Sequence, residues 1–397
     1  MNIAQIGLFD GNAGDIVLTQ VFRALIGKFQ DNINWDLVNV RDEIDQDYIA
    51  RLNKADKIIF SGGGLFLPDS NPNIISGWQW PCSKEMLDKI EKPIYAFALG
   101  YNYFYGQIPN DLFIENLKYF IDKCEFFSVR SNGDKIAIIK LIGDEYKNKI
   151  KIQPCSTVLI SKIYDIEKKR NNNLCINIAY DRSNLRYGKS KVKVINEIVE
   201  AIRILSKKFK ITVFGHLNTD MNFYNLLLRK KIKCNKINFR KVIFPNILKH
   251  YGNADIMIGT RGHSLLIPFG LNKLVIGFDS HPKIRWFFED IEQPELCIDK
   301  KNIRKKIVNR VNMLHNDYEK YLKKNEKKQN EFWKITKKNI EIIFPKEILN
   351  KIIEETKRNI EEAEQNEIKE IEKQKEKELN DILTKENIEI IENMEEI

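Results

Sequence analysis

Cysteine is scarce in this sequence, and its placement excludes structures that depend on cysteine. The 397 residues include six cysteines, 19 glycines and 11 prolines. The cysteines stand singly, without a Cys-x-x-Cys pair or a histidine at ligand spacing, at positions 82, 124, 155, 175, 234 and 297. A chain of this length does not need disulfides to stabilise its core. We therefore expect reduced thiols in a cytoplasmic protein, and neither structural zinc nor another metal.

Long apolar stretches are missing as well. Every apolar run is interrupted by glycine, proline, asparagine or lysine well before the roughly 20 residues that a membrane-spanning helix requires. The first residues, MNIAQIGLFDG, enter a strand-like run directly, without the basic segment and cleavage site of a signal peptide. These features predict a cytoplasmic protein, and any contact with the inner face of the membrane is expected to be peripheral.

Positive charge dominates the chain before residue 354. The formal net charge is +10, and from Glu354 onward 16 acidic residues stand against 7 basic ones, which leaves about +19 on residues 1–353. A basic body favours an anionic partner, whether nucleic acid, lipid or a small substrate. Because the basic residues are scattered and lack the interleaved aromatics of RNA-binding modules, we expect no nucleic-acid partner.

Short apolar runs alternate with helical spacing along most of the chain. The predicted strands are NIAQIGLF, residues 35–40, KIIFSGG, PIYAFALG, EFFSVRS and KIQPC, then LCINIAY, KITVFGH, INFRKV, ADIMIG and KLVIGFD. This alternation predicts an α/β fold with parallel sheets covered by helices on both faces. The polar segment KKRNNN predicts a linker between two Rossmann-like, doubly wound domains, residues 1–167 and 174–345, that face a cleft.

Residues 346–397 differ from the rest in being rich in Glu, Lys and Ile. Their composition predicts a charged helical or coiled-coil tail. Self-association through this tail and a plain solvated extension are the two open alternatives.

The segment GNAGD, residues 11–15, follows the first predicted strand. Gly11 and Gly14 permit a tight turn, and Asn12 stands within that turn. Asp15 either caps the next helix or faces the cleft as a base, and the helix N-terminus favours an anion or a hydroxyl-rich ligand. The spacing is not Gly-x-Gly-x-x-Gly, and no acidic ribose-binding residue follows, so a nicotinamide cofactor is disfavoured.

Three consecutive glycines end the third predicted strand, in SGGGLF. Without side chains, the backbone at Gly62, Gly63 and Gly64 can approach a ligand or the opposite domain closely. A turn with positive φ angles is the alternative explanation.

The stretch GTRGHSLLIPFG, residues 259–270, places two polar side chains at the start of an apolar helix. Arg261 offers a planar fork for carboxylate or phosphate, and the helix N-terminus adds to its attraction for anions. His263 titrates near neutral pH and can donate a proton. Gly262 lets the backbone come close, and Ser264 follows. The pattern predicts an anion site with a proton source, against the alternative of internal hydrogen bonding only.

Further polar residues fall at the carboxyl ends of the predicted strands, where ligands bind in open α/β sheets. They are Arg130, Asp181, Arg182, Arg186, His216, Asp220, Asp279, His281 and Lys283. Their shared location predicts one cleft, although a surface salt bridge is the simpler explanation for Arg130.

Taken in order, these motifs resemble those of the polysaccharide pyruvyl transferases. The resemblance covers roughly residues 3–290 and rests on GNAGD, then SGGG, then TRGHSLLIPFGLNKLVIGFDSHPK. It implies a fold like that of the GT-B glycosyltransferases. It also implies transfer of a pyruvyl group from phosphoenolpyruvate to a surface polysaccharide or its lipid-linked precursor, with formation of a cyclic ketal. Phosphoenolpyruvate is then a substrate, and no cofactor is expected.

The resemblance also implies roles for individual residues. Arg261 and His263 would bind the donor and act in catalysis, with Asp15 on the acceptor side. The further donor contacts are expected at Arg182, His216, Lys283, Gly262 and Ser264, and the acceptor contacts at Asn12, Gly14, Gly62, Gly63 and Gly64. Two positions depart from the family pattern: Gln153 stands where an Asp precedes the proline, and Ser131 where an acidic residue follows the arginine.

Two other functions compete with this interpretation. One is a GT-B glycosyltransferase with a nucleotide-sugar donor, for which Asp279 or Glu289 would hold the ribose. The other is a non-catalytic protein that binds a sugar or a partner, in which the tail performs the function.

Overall fold

Two parallel β-sheets form the framework of the protein. A computed structural model describes residues 1–68, 73–166, 170–345 and 357–375. The strands of the first sheet are β1 (Asn2–Gly7), β2 (Asn34–Asn39), β3 (Lys57–Phe60), β4 (Gly63–Phe66), β5 (Ile94–Tyr101), β6 (Cys124–Val129) and β7 (Ile150–Ile152). The strands of the second sheet are β8 (Asn173–Asn177), β9 (Lys210–Gly215), β10 (Asn235–Asn238), β11 (Ile256–Gly259), β12 (Leu274–Phe278) and β13 (Cys297–Ile298).

Helices connect the strands and cover the sheets. In chain order they are α1 (Ala13–Ile26), α2 (Gln46–Asn53), α3 (Lys84–Asp88), α4 (Asp111–Lys123), α5 (Asn132–Ile142), α6 (Ile160–Ile163), α7 (Ser183–Tyr187), α8 (Lys191–Leu205), α9 (Met221–Arg229), α10 (Asn246–Gly252), α11 (His263–Gly270), α12 (Pro282–Asp290), α13 (Ile303–Asn316) and α14 (Tyr318–Ile343). Side-chain caps fix several of their starts; the amide of Gly14, for example, donates to Asn12 at 2.8 Å at the start of α1.

The strand order makes both sheets doubly wound. The first runs β2-β1-β3-β5-β6-β7, with β4 beside β5, and the second runs β10-β9-β8-β11-β12-β13. Each order reverses direction once, between β1 and β3 in the first sheet and between β8 and β11 in the second. A ligand crevice forms at such a reversal, outside the carboxyl ends of the strands. The topology therefore provides two crevices, one at each sheet.

The apolar runs of the sequence become buried strands, as their composition requires. All eight residues of β5 and all five of β12 are buried. Complete burial of a leucine, isoleucine or phenylalanine side chain stabilises the fold by about 1.5–3 kcal/mol. The cores thus hold the strand ends, and the loops that follow them, in fixed positions.

The predicted α/β class with two parallel sheets is confirmed, and two details differ from the predicted strands. The chain resumes a strand at Gly63–Phe66, because these residues pair with β5. The run INFRKV is extended only to Asn238, since Phe239–Lys241 form a 3-10 turn.

By internal contacts the chain divides into two units, Met1–Ile343 and Phe344–Ile397. Both sheets lie in the first unit, and the finer boundaries at residues 167 and 174 stay predictions. Of the predicted tail, residues 357–375 are helical, and the remainder lies outside the described residues. Among the helices of the described ranges, none combines the length and apolarity needed to cross a membrane.

Candidate active site

A cavity of about 410 Å³ lies where the two sheets present the carboxyl ends of their strands. Loops from both sheets line it. The first sheet contributes Leu8, Asp10, Gly11, Asn12, Asp15, Arg41, Gly64, Leu67, Asn102 and Arg130, and the second contributes Asp181, Arg182, Arg186, His216, Leu217, Arg261, Gly262, His263, Leu266 and Lys283. The loops after β1, β8 and β11 and the strand β4, which continues the chain from β3, are all among them, so the cavity joins the two crevices that the topology creates.

Positive charge exceeds negative charge in this lining. Six arginine and lysine side chains face three aspartates, before any charge on histidine is counted. A partly enclosed cavity screens charge less than open water does, so the surplus attracts anions. The arrangement suits a small ligand with more than one negative charge.

Arg261 is fixed by two carboxylates that lie far away in sequence. Its Nε and Nη2 donate to Asp220 at 2.8 and 2.6 Å, and Nη2 also donates to Asp181 at 2.5 Å. Burial alone would lower the pKa of Arg261, but these hydrogen bonds raise it above its usual range. The guanidinium is therefore permanently charged and rigid, although part of its predicted anion fork is already occupied by aspartates.

His263 begins α11 and meets Asp15 of α1 across the cavity. Its Nδ1 lies 3.3 Å from Asp15 Oδ1, and the ring is 11% exposed. Burial by itself would lower the pKa of His263, but hydrogen bonds with Asp15 and Cys155 raise it to about 9. The same contact holds the pKa of Asp15 below its ordinary value, against the effect of burial. At neutral pH the pair is an imidazolium and a carboxylate.

Gly14 is required for this contact. A Cβ built on Gly14 would lie 2.5 Å from His263 Cβ and 2.7 Å from its Nδ1. Any side chain at position 14 would therefore displace the imidazole. The GNAGD segment thus supplies both the partner carboxylate and the space for the ring.

Lys283 extends from α12 into the cavity and has no carboxylate contact within the described residues. Its Nζ donates to Asn102 Oδ1 at 2.5 Å. Burial, together with the charges of Arg130 and Arg186, lowers the pKa of Lys283 well below its usual range. An anion bound beside it would raise the pKa of Lys283 again.

His216 lies at the back of the cavity and is 1% exposed. Its Nε2 lies 2.5 Å from the hydroxyl of Tyr251, and its Nδ1 has no hydrogen-bond partner in the described part of the chain. Burial and the charge of Arg261 lower the pKa of His216 well below its usual range, so the ring is neutral. A neutral imidazole can orient a ligand by a hydrogen bond, and it adds no charge.

The two sides of the cavity are joined by direct hydrogen bonds. The amide of Ala13 donates to the His216 carbonyl at 3.3 Å, and Arg240 donates to the carbonyl of Gly11. At the opposite rim the Tyr105 hydroxyl donates to Asp279 at 2.6 Å. These contacts hold the loop before Asp15, on the first-sheet side, against the second-sheet side that carries His263.

Four predicted ligand contacts do not line the cavity: Gly14, whose role is the contact with His263 given above, and Gly62, Gly63 and Ser264. Gly62 and Gly63 have φ angles of +94° and +104°, and a Cβ at Gly62 would lie 3.2 Å from the Phe97 carbonyl oxygen. Backbone conformation and close packing on β5 explain these glycines, while Gly64 does line the cavity. Ser264 is fully buried and donates to the Arg261 carbonyl at 2.8 Å, so its role is to shape the first turn of α11.

Other predicted residues reach the cavity as expected: Asn12, Asp15, Arg182, His216, Arg261, Gly262, His263 and Lys283. Arg130 combines both earlier interpretations, because it bonds Asp134 at 3.1 Å and also lines the cavity. Its position depends on Gly100, where a Cβ would lie 2.2 Å from the Arg130 Cζ. Arg41 and Asn102 also line the cavity and were not predicted, although each stands just past a strand, the position that marked the other polar residues.

The two departures from the family pattern have structural roles. Gln153 is fully buried, donates to Thr336 of α14 at 2.8 Å and accepts from Asn339 at 2.9 Å. Ser131 caps α5 by accepting from the Asp134 amide at 2.9 Å. Gln153 therefore anchors a helix that follows the second sheet.

Comparison with known proteins agrees with this geometry. A family model described as polysaccharide pyruvyl transferase matches residues 12–282. The UDP-GlcNAc 2-epimerase from Neisseria meningitidis bound to UDP-GlcNAc has a TM-score of 0.53 at 10% identity, covering 87% of this chain and 100% of that chain. Alr3699/HepE from Anabaena, in complex with UDP and glucose, has a TM-score of 0.51 at 10% identity, covering 86% and 99%. No curated protein matches the chain. The structural likeness confirms the expected GT-B-like fold and nothing beyond the fold.

Proposed function

We propose, from the premise that the chain belongs to the polysaccharide pyruvyl transferase family, that its cavity binds phosphoenolpyruvate and transfers the pyruvyl group to a sugar as a ketal. Family membership makes the protein a pyruvyl transferase. The donor, the ketal product and the roles of individual residues are our proposal.

One observation carries the proposal: a protonated His263 lies in a cavity whose second-sheet side is rich in cations. Four basic side chains face the cavity from that side: Arg182, Arg186, Arg261 and Lys283. The only aspartate in the described lining of that side is Asp181. Phosphoenolpyruvate carries a phosphate and a carboxylate, and guanidinium and ammonium groups are their usual partners. A proton source next to such an anion site suits protonation of the enol double bond.

The first chemical step would be protonation of the methylene carbon by His263. The π electrons of the C2–C3 double bond form the new C3–H bond and leave positive charge at C2, which the phosphate-bearing oxygen shares. A sugar hydroxyl then forms a C–O bond to C2, and its proton passes to the Asp15–His263 pair. This transfer returns the imidazole to its protonated form.

A second hydroxyl of the same sugar would complete the ketal. It forms a C–O bond to C2 as the C2–O bond to phosphate breaks, and its proton leaves with the phosphate. Lys283 stabilises the negative charge of the departing group, and its raised proton affinity beside an anion makes it suited to this role. The products are the pyruvate ketal and inorganic phosphate, and no oxidant or reductant is required.

The first-sheet side of the cavity would receive the acceptor. Asn12, Gly64 and Asn102 offer neutral hydrogen-bonding groups there, and Asp15 contacts His263 from the same side. Such groups match sugar hydroxyls. A lipid-linked acceptor, a cytoplasmic location with peripheral contact at the inner membrane, and self-association through the tail stay predictions.

A nucleotide sugar is the rival donor, because the structural neighbours named above contain UDP or UDP-GlcNAc. The carboxylates expected to hold a ribose do not favour it. Asp279 is engaged by Arg285 and by the Tyr105 hydroxyl. Glu289 is exposed and lines a different cavity with Trp286. Neither Asp279 nor Glu289 lines the main cavity.

The test is product analysis with carbon-labelled phosphoenolpyruvate and a panel of sugar and lipid-linked acceptors. We expect a product that carries the labelled pyruvyl carbons, and one phosphate released per ketal formed. In a parallel arm, phosphoenolpyruvate should raise the melting temperature, and UDP-GlcNAc should not. Sugar transfer from UDP-GlcNAc without any labelled product would contradict the proposal.

A further inference from the structure

Asn102 joins the two sides of the main cavity through its side-chain amide. It follows β5 of the first sheet and is 8% exposed. Its Oδ1 accepts from the Nζ of Lys283 at 2.5 Å, and Lys283 stands in the first turn of α12, after the second-sheet strand β12. Its Nδ2 donates to the carbonyl of Gly64 at 3.3 Å. Both polar ends of the amide are therefore engaged within the protein.

The strand β4 fixes the backbone and the side chain of Asn102. The backbone amide of Asn102 donates to the Phe66 carbonyl at 2.8 Å, and the carbonyl that binds its side chain belongs to Gly64 of the same strand. Because an ammonium group can only donate hydrogen bonds, the side-chain amide must turn its oxygen toward Lys283. Its nitrogen then faces the Gly64 carbonyl, which can only accept. The orientation of the amide is thus determined at both ends.

This contact explains why the third residue of the SGGG glycines has no side chain. Gly62 and Gly63 have positive φ angles, whereas Gly64 does not. A Cβ built on Gly64 would lie 2.9 Å from both Cγ and Nδ2 of Asn102. Any side chain at position 64 would therefore displace the amide from Lys283. Gly64 makes room for Asn102, and its own backbone conformation does not require glycine.

Lys283 differs in its partner from the arginines of the second-sheet side. Each of these arginines has a carboxylate oxygen of Asp181 nearby, at 3.8 Å for Arg182, 3.5 Å for Arg186 and 2.5 Å for Arg261. Over the ranges that the structure describes, Lys283 is instead bound by a neutral amide. Burial and the neighbouring arginines lower the pKa of Lys283, and a neutral partner does little to oppose them. The negative partner that this lysine lacks can be supplied by a phosphate group.

We propose that Asn102 is a positioning residue, which holds the Nζ of Lys283 in the cavity by a neutral hydrogen bond so that a phosphate group, and not a protein carboxylate, becomes its negative partner. Asn102 belongs to the first sheet, yet it acts in donor binding on the second-sheet side. An ammonium group has three donors, and the amide takes one of them, which leaves two for phosphate oxygens. The role in pyruvyl transfer rests on the proposed function, whereas phosphate binding can be tested without it.

The direct test is the binding of inorganic phosphate to the full-length protein, measured by isothermal titration calorimetry. Asn102→Asp places a carboxylate beside Lys283, so the Kd for phosphate should rise by about 10–100-fold, the effect of losing one charge-assisted hydrogen bond. Asn110→Asp is the matched control. It makes the same substitution at the exposed N-cap of α4, outside the cavity lining, where Asp caps a helix as well as Asn does. We expect its Kd to stay within about twofold of wild type, because salt screens the distant charge.

Two further variants show whether Asn102 acts through Lys283. Asn102→Ala removes the amide and Gly64→Ala displaces it, so each should raise the Kd for phosphate by about 3–10-fold, the effect of one hydrogen bond. In a Lys283→Gln background, neither substitution should change the Kd further by more than about twofold. A purely structural role would not produce this dependence on the lysine. Circular dichroism and thermal melting check folding, and the alanine variants keep the test decisive if Asn102→Asp does not fold.

Three results would overturn the proposal. The first is a phosphate affinity that is the same in wild type and Asn102→Ala, or no phosphate binding in wild type. The second is full additivity of Asn102→Ala with Lys283→Gln, because Asn102 would then act independently of the lysine. The third is an effect confined to the KM for the acceptor, which would make Asn102 a sugar contact.

Failure of the proposed function would look different. In that case phosphate binding depends on Asn102 and Lys283 as expected, but no labelled pyruvyl product forms from phosphoenolpyruvate. If instead the product forms and the KM for phosphoenolpyruvate is the same in Asn102→Ala and wild type, the positioning role is wrong and the transfer reaction stands.

Discussion

The two sides of the cavity differ in charge although their topologies are alike. Each presents loops at the point where a doubly wound sheet reverses its strand order. The first-sheet side has two arginines and two aspartates, Arg41, Arg130, Asp10 and Asp15. The second-sheet side has four cations, Arg182, Arg186, Arg261 and Lys283, against Asp181. The same architecture therefore supports two different binding surfaces, one balanced and one strongly cationic.

This difference teaches how a single cavity can hold two unlike substrates. The cationic side matches an anion with phosphate and carboxylate groups, and the balanced side matches a neutral sugar. His263 belongs to the cationic side and Asp15 to the balanced side, and the two meet at 3.3 Å. The chemistry is thus expected where the two surfaces touch.

The largest effect on the reaction rate is expected from removal of the His263 imidazole, where the two surfaces meet. His263→Ala should lower kcat by about 10²–10⁴-fold, the usual contribution of a positioned acid or base. Steady-state kinetics measures it, with His250→Ala on α10 as the control, because His250 lies outside the cavity lining. A rate within a factor of about two of wild type would remove His263 from the mechanism.

The buried ion pair of the second-sheet side should matter more for stability than an exposed pair beside the first sheet. Asp220 is fully buried and holds Arg261, so Asp220→Ala should lower the free energy of unfolding by about 3–5 kcal/mol. Asp36→Ala breaks an exposed pair with Arg51 and should cost no more than about 1 kcal/mol. Urea unfolding measures both, and equal losses would show that Asp220 is not a buried support of the site.

Removal of single cations should separate donor from acceptor binding. Lys283→Gln should raise the KM for phosphoenolpyruvate by about 10–100-fold, since a charge-assisted hydrogen bond contributes about 1.5–3 kcal/mol. Arg41→Gln, on the balanced side, should leave that KM within about threefold and change the KM for the acceptor instead. Equal effects of both variants on the donor would contradict the division between the two sides.

The position of the imidazole can be disturbed without changing any charge. Gly14→Ala forces a Cβ into contact with His263, so the imidazole must move and kcat should fall by about tenfold. The charged side chains around His263 stay unchanged in this variant. Gly27→Ala is the matched control, because its Cβ would meet the carbonyl oxygens of Arg23 and Ala24 at ordinary contact distances of 3.4 and 3.6 Å. Turnover numbers for the two variants provide the comparison. An undiminished kcat in Gly14→Ala would show that the imidazole of His263 can shift without loss of activity.

Much of this arrangement could be predicted from local sequence patterns. Apolar runs marked the strands, and polar residues just past them marked the cavity, because parallel strands end at a common edge. Arg261, His263 and Asp15 were identified in this way. The pattern also predicted glycine contacts at Gly62 and Gly63, where positive φ angles and, at Gly62, close packing on β5 are the actual constraints.

The remaining features depend on contacts between distant segments. Asp220 precedes Arg261 by 41 residues and Asp181 precedes it by 80. No local sequence pattern connects these aspartates with Arg261. The sequence therefore could not show that they already bind part of its guanidinium. Hydrophobic periodicity locates the helices and strands, but it does not specify which side chains of different helices and strands contact each other.

The smallest effect concerns the contact that joins α12 to α5. Asp290 accepts from the Asn132 side chain at 2.9 Å, and burial raises the pKa of Asp290 to about 6. Because the folded state holds this proton more tightly than the unfolded state, stability falls as the pH rises from about 4 to about 6. Asp290→Asn should remove that decline, of order 1 kcal/mol, in urea unfolding followed against pH. A decline that persists in the variant would assign it to another group.

The most direct test of the division into two surfaces is a crystal structure of the protein with phosphoenolpyruvate bound. We expect its phosphate and carboxylate to contact Arg182, Lys283 and the loop at Gly262, with the methylene carbon facing the ring of His263. Phosphoenolpyruvate bound on the first-sheet side, or outside the cavity, would contradict the account.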